Sequence, residues 1–328
     1  MTTFGTALDR LGSVPRVSLV AERTPLQEAT RLRGILGANA PRLLVKRDDA
    51  IPFGFGGNKV RKLEFVLADV LAIGADTLVT LGGIQSNHAR ATAAAAAKHG
   101  LRCVIIANGT APERPTGNAL LNRLLGAEIE YIASREERAA ATRYVMERLE
   151  RTGRKAYFVP LGASTSLGAL GFVAAVGELL AQEPAPDVIV HASSSGGTQA
   201  GLVAGVALHN AKTRVLGVSA DDPATQIETV VRTIVSGMGH RLGIDGDVLS
   251  AECSITVDDT HVGDGYGVPT AASAEAQELA ARNESLFVDH TYTAKALGAL
   301  LAYVRSGRIG RDETVVFWHT GGQVGLFA

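Results

Sequence analysis

The stretch Phe53-Gly54-Phe55-Gly56-Gly57-Asn58-Lys59-Val60-Arg61-Lys62 is the part of the chain best suited to covalent chemistry. Loop glycines give backbone freedom and allow close approach to a ligand. Here they deliver Lys59 to the start of a helix predicted over 60–71. A lysine held among apolar neighbours has a lowered pKa, and a neutral amine can attack a carbonyl. Lys59 is therefore a candidate Schiff-base lysine. A solvated lysine at a helix cap would read the same from this stretch alone.

Further candidates sit where predicted strands end. Ser193-Ser194-Ser195-Gly196-Gly197-Thr198 runs from a strand into a helix. Small residues there leave backbone N–H groups free to converge on an anion, and the helix N-terminus adds favourable potential. Ser195 and Thr198 add hydroxyls; a tight turn with a serine cap is the alternative. The stretch is neither Gly-x-Gly-x-x-Gly nor a Walker loop, so a dinucleotide or nucleoside triphosphate is not indicated. Gly82-Gly83-Ile84-Gln85-Ser86-Asn87-His88 has the same form. Ser86 or Asn87 either caps the next helix or faces a ligand. Ser86 is outside a Gly-x-Ser-x-Gly elbow, which argues against a conventional serine hydrolase. His88, His191 and His319 lack metal-ligand spacing, so packing or supporting roles and no metal site are expected. Tyr266, in a glycine-rich loop, and Tyr292, before a natural N-cap at Thr293, can each be a general acid, a stacking wall or packing. Thr320-Gly321-Gly322 is one more small-residue loop at a strand end.

Certain elements must position these residues. Strands are predicted over 42–49, 77–81, 103–107, 129–132, 157–160, 188–192, 215–219 and 314–318. Helices fall between them, including 116–125, 135–151, 224–238, 271–282 and 293–305. Residues 1–40 read as an irregular start, then a helix beginning at 24–28 with Pro25 in its first turn. Residues 239–264 read as a polar stretch, and the charged 46–49 segment as scaffold. Continuous apolar strands alternating with helices imply parallel sheets covered on both faces. The break at Lys62 and the Pro184-Ala185-Pro186 linker suggest two such sheets.

At 328 residues the chain exceeds what one core fills, so two domains or lobes are expected. A net charge of −1 gives no electrostatic case for nucleic acid or an anionic membrane. Met1-Thr2-Thr3-Phe4-Gly5 shows no signal-peptide pattern, and no apolar run is long enough to span a bilayer. Cys103 and Cys253 are in no redox or metal spacing, so two buried thiols in a reducing cytoplasm are expected.

Taken together, Gly56 to Phe65, Gln85 to Arg90, Gly265 to Pro269, Tyr292 to Lys295 and His319 to Gly322 resemble the D-cysteine desulfhydrase and 1-aminocyclopropane-1-carboxylate (ACC) deaminase family of pyridoxal-phosphate (PLP) enzymes. The resemblance runs from about Pro25 to the C-terminus. It implies an α/β, two-domain tryptophan-synthase-β-like architecture (fold type II), each domain a largely parallel sheet covered by helices. Residues 1–61 and 171–328 would form a large PLP-binding domain and 62–170 a small inserted one. The family is usually homodimeric, and a cytoplasmic enzyme is expected.

Roles follow from the same resemblance. Lys59 would carry the cofactor. Ser195, Gly196, Gly197 and Thr198, helped by Lys62, would bind its phosphate. Asn87 would meet the pyridoxal hydroxyl and Thr320 the ring nitrogen. Ser86, Asn87, His88 and Tyr266 would face a small amino-acid substrate, with Ser86 catalytic near its carboxylate. Tyr292 would stack or donate a proton. ACC deaminases carry glutamate and leucine at the positions of Thr293 and Thr320; threonine at both is the desulfhydrase pattern. β-Elimination from D-cysteine is thus the expected reaction, with L-cysteate, ACC or another β-substituted amino acid as alternative substrates, and a non-catalytic PLP carrier as a distant alternative. The chain departs from the desulfhydrases at Phe53, Phe55, Thr270, His290-Thr291, Ala294 and Gln323-Val324. Thr270 is shared with L-cysteate sulfo-lyases. These changes are expected to cluster around the substrate.

Overall fold

The computed structural model describes residues 3–328; Met1 and Thr2, part of the signal-peptide reading, lie outside the described residues. Helix α1 (Thr3–Ser13), strand β1 (Leu26–Glu28), α2 (Thr30–Leu36) and β2 (Arg42–Arg47) precede α3 (Asn58–Ala72). Alternation follows through β3 (Thr77–Gly83), α4 (Asn87–Lys98), β4 (Arg102–Asn108), α5 (Gly117–Leu124), β5 (Glu128–Ile132), α6 (Arg138–Arg151) and β6 (Ala156–Val159). Then come α7 (Ser166–Gln182), β7 (Val188–Ser193), α8 (Gly197–Leu208), β8 (Arg214–Ser219), α9 (Ala224–Leu242), α10 (Gly246–Glu252) and β9 (Thr256–Asp258). Finally α11 (Ala271–Glu284) and α12 (Thr293–Arg305) lead to β10 (Thr314–His319).

The strands form a six-stranded sheet, β1-β2-β10-β7-β8-β9, and a four-stranded sheet, β5-β4-β3-β6. Every neighbouring pair is parallel except β1 with β2. Strand β7 is buried along its whole length, β3 and β10 along all but one end residue, and β4 along all but its two end residues, as apolar strands covered by helices on both faces must be. The α/β class expected from the alternation is the fold observed.

Several local expectations are corrected. The segment read as a helix start at 24–28 is strand β1: Leu26 pairs with Lys46, and the Pro25 carbonyl accepts the Arg47 N–H at 2.9 Å. Proline, lacking a donor, suits this edge strand. Helix α1 was unforeseen; Phe4, Leu8 and Leu11 pack on the large-sheet core. The polar stretch before Asp264 holds α10, capped by the Asp245 carboxylate, and β9. Helix α6 starts at Arg138, leaving Arg135 on the preceding turn. The Pro184–Pro186 segment separates no sheets; it joins α7 to β7.

One buried polar cluster fixes α3. Asp48 and Lys46 have 0% exposure and Arg61 4%. The Arg61 guanidinium donates to Asp48 at 2.8–3.0 Å and to Glu178 of α7 at 3.0 Å. Lys46 donates to Glu178 at 2.5 Å, and the Trp318 indole N–H to Asp48 at 2.8 Å. Strands β2 and β10 and helices α3 and α7 are thereby tied at one point, as the scaffold reading of 46–49 expects. Burial alone would raise the Glu178 carboxyl, but Arg61 and then Lys46 outweigh it and hold it at about 2. Among the described residues no helix is long and apolar enough to cross a membrane. Cys103 and Cys253 are buried free thiols, pushed up to about 12 by desolvation.

Arg61→Met should lower the unfolding free energy by ~3–5 kcal/mol, because Asp48 and Glu178 stay buried without their main partner. A shift in the urea midpoint measures this; an unmoved midpoint would contradict it. Glu178 is ionised at a lower pH in the folded chain than its ordinary 4.5, so its stabilisation is full above 4.5 and lost as pH falls towards about 2. The stability gap between wild type and Glu178→Gln should therefore narrow across that window.

Candidate functional site

The glycines before Lys59 are required by geometry. Gly56 and Gly57 have φ of 67° and 97°. A Cβ on Gly56 would lie 2.6 Å from the Asp49 carbonyl oxygen, and one on Gly57 3.0 Å from that of Thr320. No side chain fits at either place. The Gly57 N–H donates to the Asp48 carbonyl at 2.8 Å and the Asn58 N–H to that of Thr320 at 3.0 Å. From α4, the buried Arg90 guanidinium donates to the carbonyls of Gly54 and Gly56. The loop is thus pinned on both sides.

Lys59 and Lys62, three residues apart on α3, share a helix face. Burial lowers the Lys59 amine to about 8. Burial, and then the charge of Lys59, hold Lys62 well below the usual lysine range. No carboxylate perturbs either amine. Two crowded amines without an acidic partner form a ready site for an external anion.

That site has its cradle nearby. Lys62 donates to the Ser164 hydroxyl at 3.2 Å, and Ser164 shares a hydrogen bond of 2.8 Å with Ser195. Gly196, left-handed at φ 76°, sits at the N-cap of α8 with no side-chain cap. A Cβ on Gly197 would fall 2.6 Å from Ser164 Oγ, and the Gly197 N–H donates to that oxygen at 3.2 Å. Asn58 reaches across from α3 and donates to Thr198 Oγ1 at 2.9 Å. Hydroxyls, an uncapped helix N-terminus and a lysine behind them are a donor set that fits a phosphate.

The opposite wall comes from β3–α4 and from α12. Ser86 is the N-cap of α4, its hydroxyl accepting the Ala89 N–H at 3.2 Å. Asn87 Oδ1 accepts from Asn118 at 2.9 Å, which leaves the Asn87 amide nitrogen as a donor. His88 lies 2.8 Å from Thr80 through Nε2, while its Nδ1 is buried without a partner. Burial, then Lys59 and Lys62, push this imidazole well down, so it is neutral. The Tyr266 and Tyr292 hydroxyls are 2.6 Å apart, with rings edge-to-face at 5.7 Å. Burial raises the Tyr292 phenol well above its ordinary value, with Tyr266 adding to it. One O–H of the pair is used between them, and one remains to donate elsewhere. Thr293 is not the N-cap expected. Asp289 accepts the N–H groups of Thr291, Tyr292 and Thr293, each at 3.0 Å, and Thr293 bonds back to it.

These walls enclose a cavity of about 380 Å³ between the two sheets. Lys59, Ser86, Asn87, His88, Ser195, Gly196, Thr198, Tyr266, Tyr292 and Thr320 all line it. Lys62 and Gly197 stand one layer behind, connected through Ser164. Sequence reasoning missed Arg135, Arg138, Asp221 and Asp222, which line the mouth. Arg135 lies 3.6 Å from Asp221 and 5.1 Å from the Tyr266 ring centroid. Their partners are distant in the chain, so no local pattern marked them. His191 and His319 are buried, and no cluster of metal-ligating residues occurs among the described residues.

The departures expected around the substrate do not line this cavity. Gln323 donates to the Asp49 carbonyl at 3.1 Å, and Val324 and Ala294 are core. Thr270 caps α11, His290-Thr291 belongs to the Asp289 turn, and Phe55 is 59% exposed. Phe53 packs on the small-sheet core.

Above its pKa of about 8 the cofactor-free Lys59 amine is neutral and nucleophilic. Addition of a small aldehyde to Lys59, followed by reductive trapping and peptide mapping, should rise with a midpoint near this value. A midpoint in the ordinary lysine range would contradict the burial argument.

The chain matches the family model described as pyridoxal-phosphate dependent enzyme over residues 17–321. It is 38% identical to a D-cysteine desulfhydrase of Salmonella choleraesuis (strain SC-B67) over 98% of each chain. It is 37% identical to one from Serratia proteamaculans (strain 568), covering 97% of each. An ACC deaminase homologue superposes with a TM-score of 0.89 at 33% identity, over 98% of this chain and 96% of that one. A threonine deaminase from Solanum lycopersicum, at 18% identity and TM-score 0.68 over 97% and 84% of the two chains, shares the fold. A lysine with a lowered pKa beside a phosphate-shaped cradle is the arrangement such a likeness requires, and the chain belongs to the pyridoxal-phosphate dependent enzyme family, in its D-cysteine desulfhydrase and ACC deaminase group.

Proposed function

We propose that the protein is a lyase that converts D-cysteine to pyruvate, hydrogen sulfide and ammonia. One observation carries the reading: the near-neutral Lys59 amine, the Ser195–Thr198 cradle and the Tyr266–Tyr292 pair border one cavity. The full-length likeness to D-cysteine desulfhydrases supports the substrate. So does the placement of every departure away from the cavity wall. Thr293, where ACC deaminases carry glutamate, is fully buried and hydrogen-bonded to Asp289, so no acid stands there.

In this reading Lys59 would hold the cofactor, and Ser195, Gly196, Gly197 and Thr198 would hold its phosphate with Lys62 behind. Asn87 would donate to its ring hydroxyl, and Thr320 would offer a neutral hydroxyl to its ring nitrogen. When bound, PLP supplies an electron sink for negative charge at the substrate α-carbon. Ser86 and Asn87 orient the substrate carboxylate, with His88 behind them as a neutral imidazole. Lys59 Nζ takes the α-proton, a task suited to an amine titrating near the working pH. Tyr292, kept protonated by burial, passes a proton through Tyr266 towards the departing sulfur.

A second reading is favoured by Arg135 and Arg138 at the mouth: an anionic β-substituent, as in L-cysteate, would find cations there, though Asp221 and Asp222 offset them. We further propose a small domain, 62–170, inserted in a large one, 1–61 and 171–328, which the two separate sheets support. A cytoplasmic homodimer is proposed from the family resemblance; exposed Leu124 and Phe327, on elements that touch, offer apolar surface for a partner.

Pyruvate release should be fastest from D-cysteine in a panel with L-cysteine, L-cysteate and ACC. Lys59→Ala should abolish it, and Tyr292→Phe should lower kcat by about 10²–10⁴, the range of a lost proton transfer. Preference for L-cysteate would move the substrate to the second reading, and turnover retained in Lys59→Ala would refute the mechanism.

A further inference from the structure

A second cavity, of about 200 Å³, lies within the small-sheet layer, and Gly83 borders both it and the larger cavity. Its walls are mainly aliphatic: Ile84, Ile105 and Ile129 from the sheet side, and Ala119 from α5. A cavity of ~150 Å³ lined by such side chains is large enough for a benzene ring. One buried polar group interrupts the apolar wall, and the exposed Arg123 of α5 and Tyr131 of β5 complete the lining. Asn122 of α5 is 3% exposed, and its Oδ1 is buried without a hydrogen-bond partner. An unsatisfied buried acceptor is destabilising, so it stands ready for a donor. A cation would lose its hydration among the isoleucines and meet Arg123, and an anion would face the buried Asn122 Oδ1, so the lining selects a neutral ligand.

The same helix grips the larger site. Asn118, one turn before Asn122, donates through its side chain to Asn87 Oδ1 at 2.9 Å and to the Gln85 carbonyl at 2.9 Å. Gln85 Oε1 accepts the Asn118 N–H at 2.8 Å, in the place of the side-chain cap that Thr116 does not make. The ligand side of this cavity is thus Gly83–Ile84 and α5, and both lead directly to Ser86 and Asn87.

We propose that this cavity is an effector site for a small, neutral, apolar molecule bearing one O–H or amide N–H donor, which Asn122 Oδ1 accepts. Occupancy shifts α5 against the β3–α4 loop and is felt at Asn87. The site needs neither the cofactor nor the substrate assignment, so binding alone tests it.

The probes are 4-fluorophenol and its donor-free isostere 4-fluorotoluene, followed by fluorine NMR on the PLP-loaded protein. The phenol should bind saturably at one site per chain, and the toluene about fivefold more weakly, the worth of one neutral hydrogen bond. Asn122→Leu should remove that preference. Ala119→Phe, which fills the cavity from α5, should abolish binding while the cofactor spectrum and Tm stay near wild type. If that variant does not fold, Ile129→Trp fills the cavity from β5 instead. Saturating phenol should also shift the cofactor absorption band of the wild type but not of the filled variant. Absence of saturable binding, or binding undiminished in the filled variants, would overturn the site. Binding with an unmoved band and an unmoved KM would overturn the coupling.

Discussion

The buried Arg61–Asp48–Glu178 cluster is the interaction on which the rest depends. It joins β2, α3, α7 and β10 at one point, with Lys46 and Trp318 completing its hydrogen bonds. Charges this deep persist only when fully paired. The rigidity that follows is what α3 needs, because the same helix carries Lys59 and Lys62 in the opposite situation. Their amines are buried without a carboxylate, and an unclamped helix would turn them to water. Paired charge on one part of α3 thus holds two amines without an acidic partner on another.

The site built on that helix is an assembly of loops at the carboxyl ends of parallel strands, where open α/β sheets leave a crevice. Each wall uses backbone first. Gly56 lets the lysine loop touch Asp49 and Gly57 lets it touch Thr320, and Gly196 opens the end of α8. Side chains then add specificity: Asn58 ties the lysine loop to Thr198, and Asn118 fixes Asn87. The tyrosine pair is supported from below by Lys295, whose amine donates to the carbonyls of Val262 at 2.7 Å and Gly265 at 2.8 Å. The β3–α4 loop is shared, since Gly83 faces the larger cavity and the smaller one beneath α5.

What could be read from the sequence was what is local. Apolar runs such as Val188–Ala192 declared their strands, and α12 begins and ends where its pattern does. The glycine-flanked Lys59 and the Ser195–Thr198 loop were legible because backbone constraint leaves a compositional trace. Pairing over distance leaves none. Strand β1 exists only because β2 lies beside it, and Pro25 looked like a helix signal until its carbonyl found Arg47. Arg135 read as the first residue of a helix over 135–151; only the fold brings it to Tyr266 and Asp221. His290 and Gln323 looked close to the chemistry because they neighbour Tyr292 and Thr320 in sequence. Their side chains lie outside the cavity wall, so nearness along the chain misled.

The central claim is that α3 presents one of its two lysines, Lys59, to the cofactor and keeps the other, the buried Lys62, behind the phosphate cradle. Borohydride reduction of the PLP-loaded protein, followed by proteolysis and mass spectrometry, tests it most directly. The account predicts a single pyridoxyl group, on Lys59, with Lys62 unmodified. Label on Lys62, or spread over surface lysines, would contradict it.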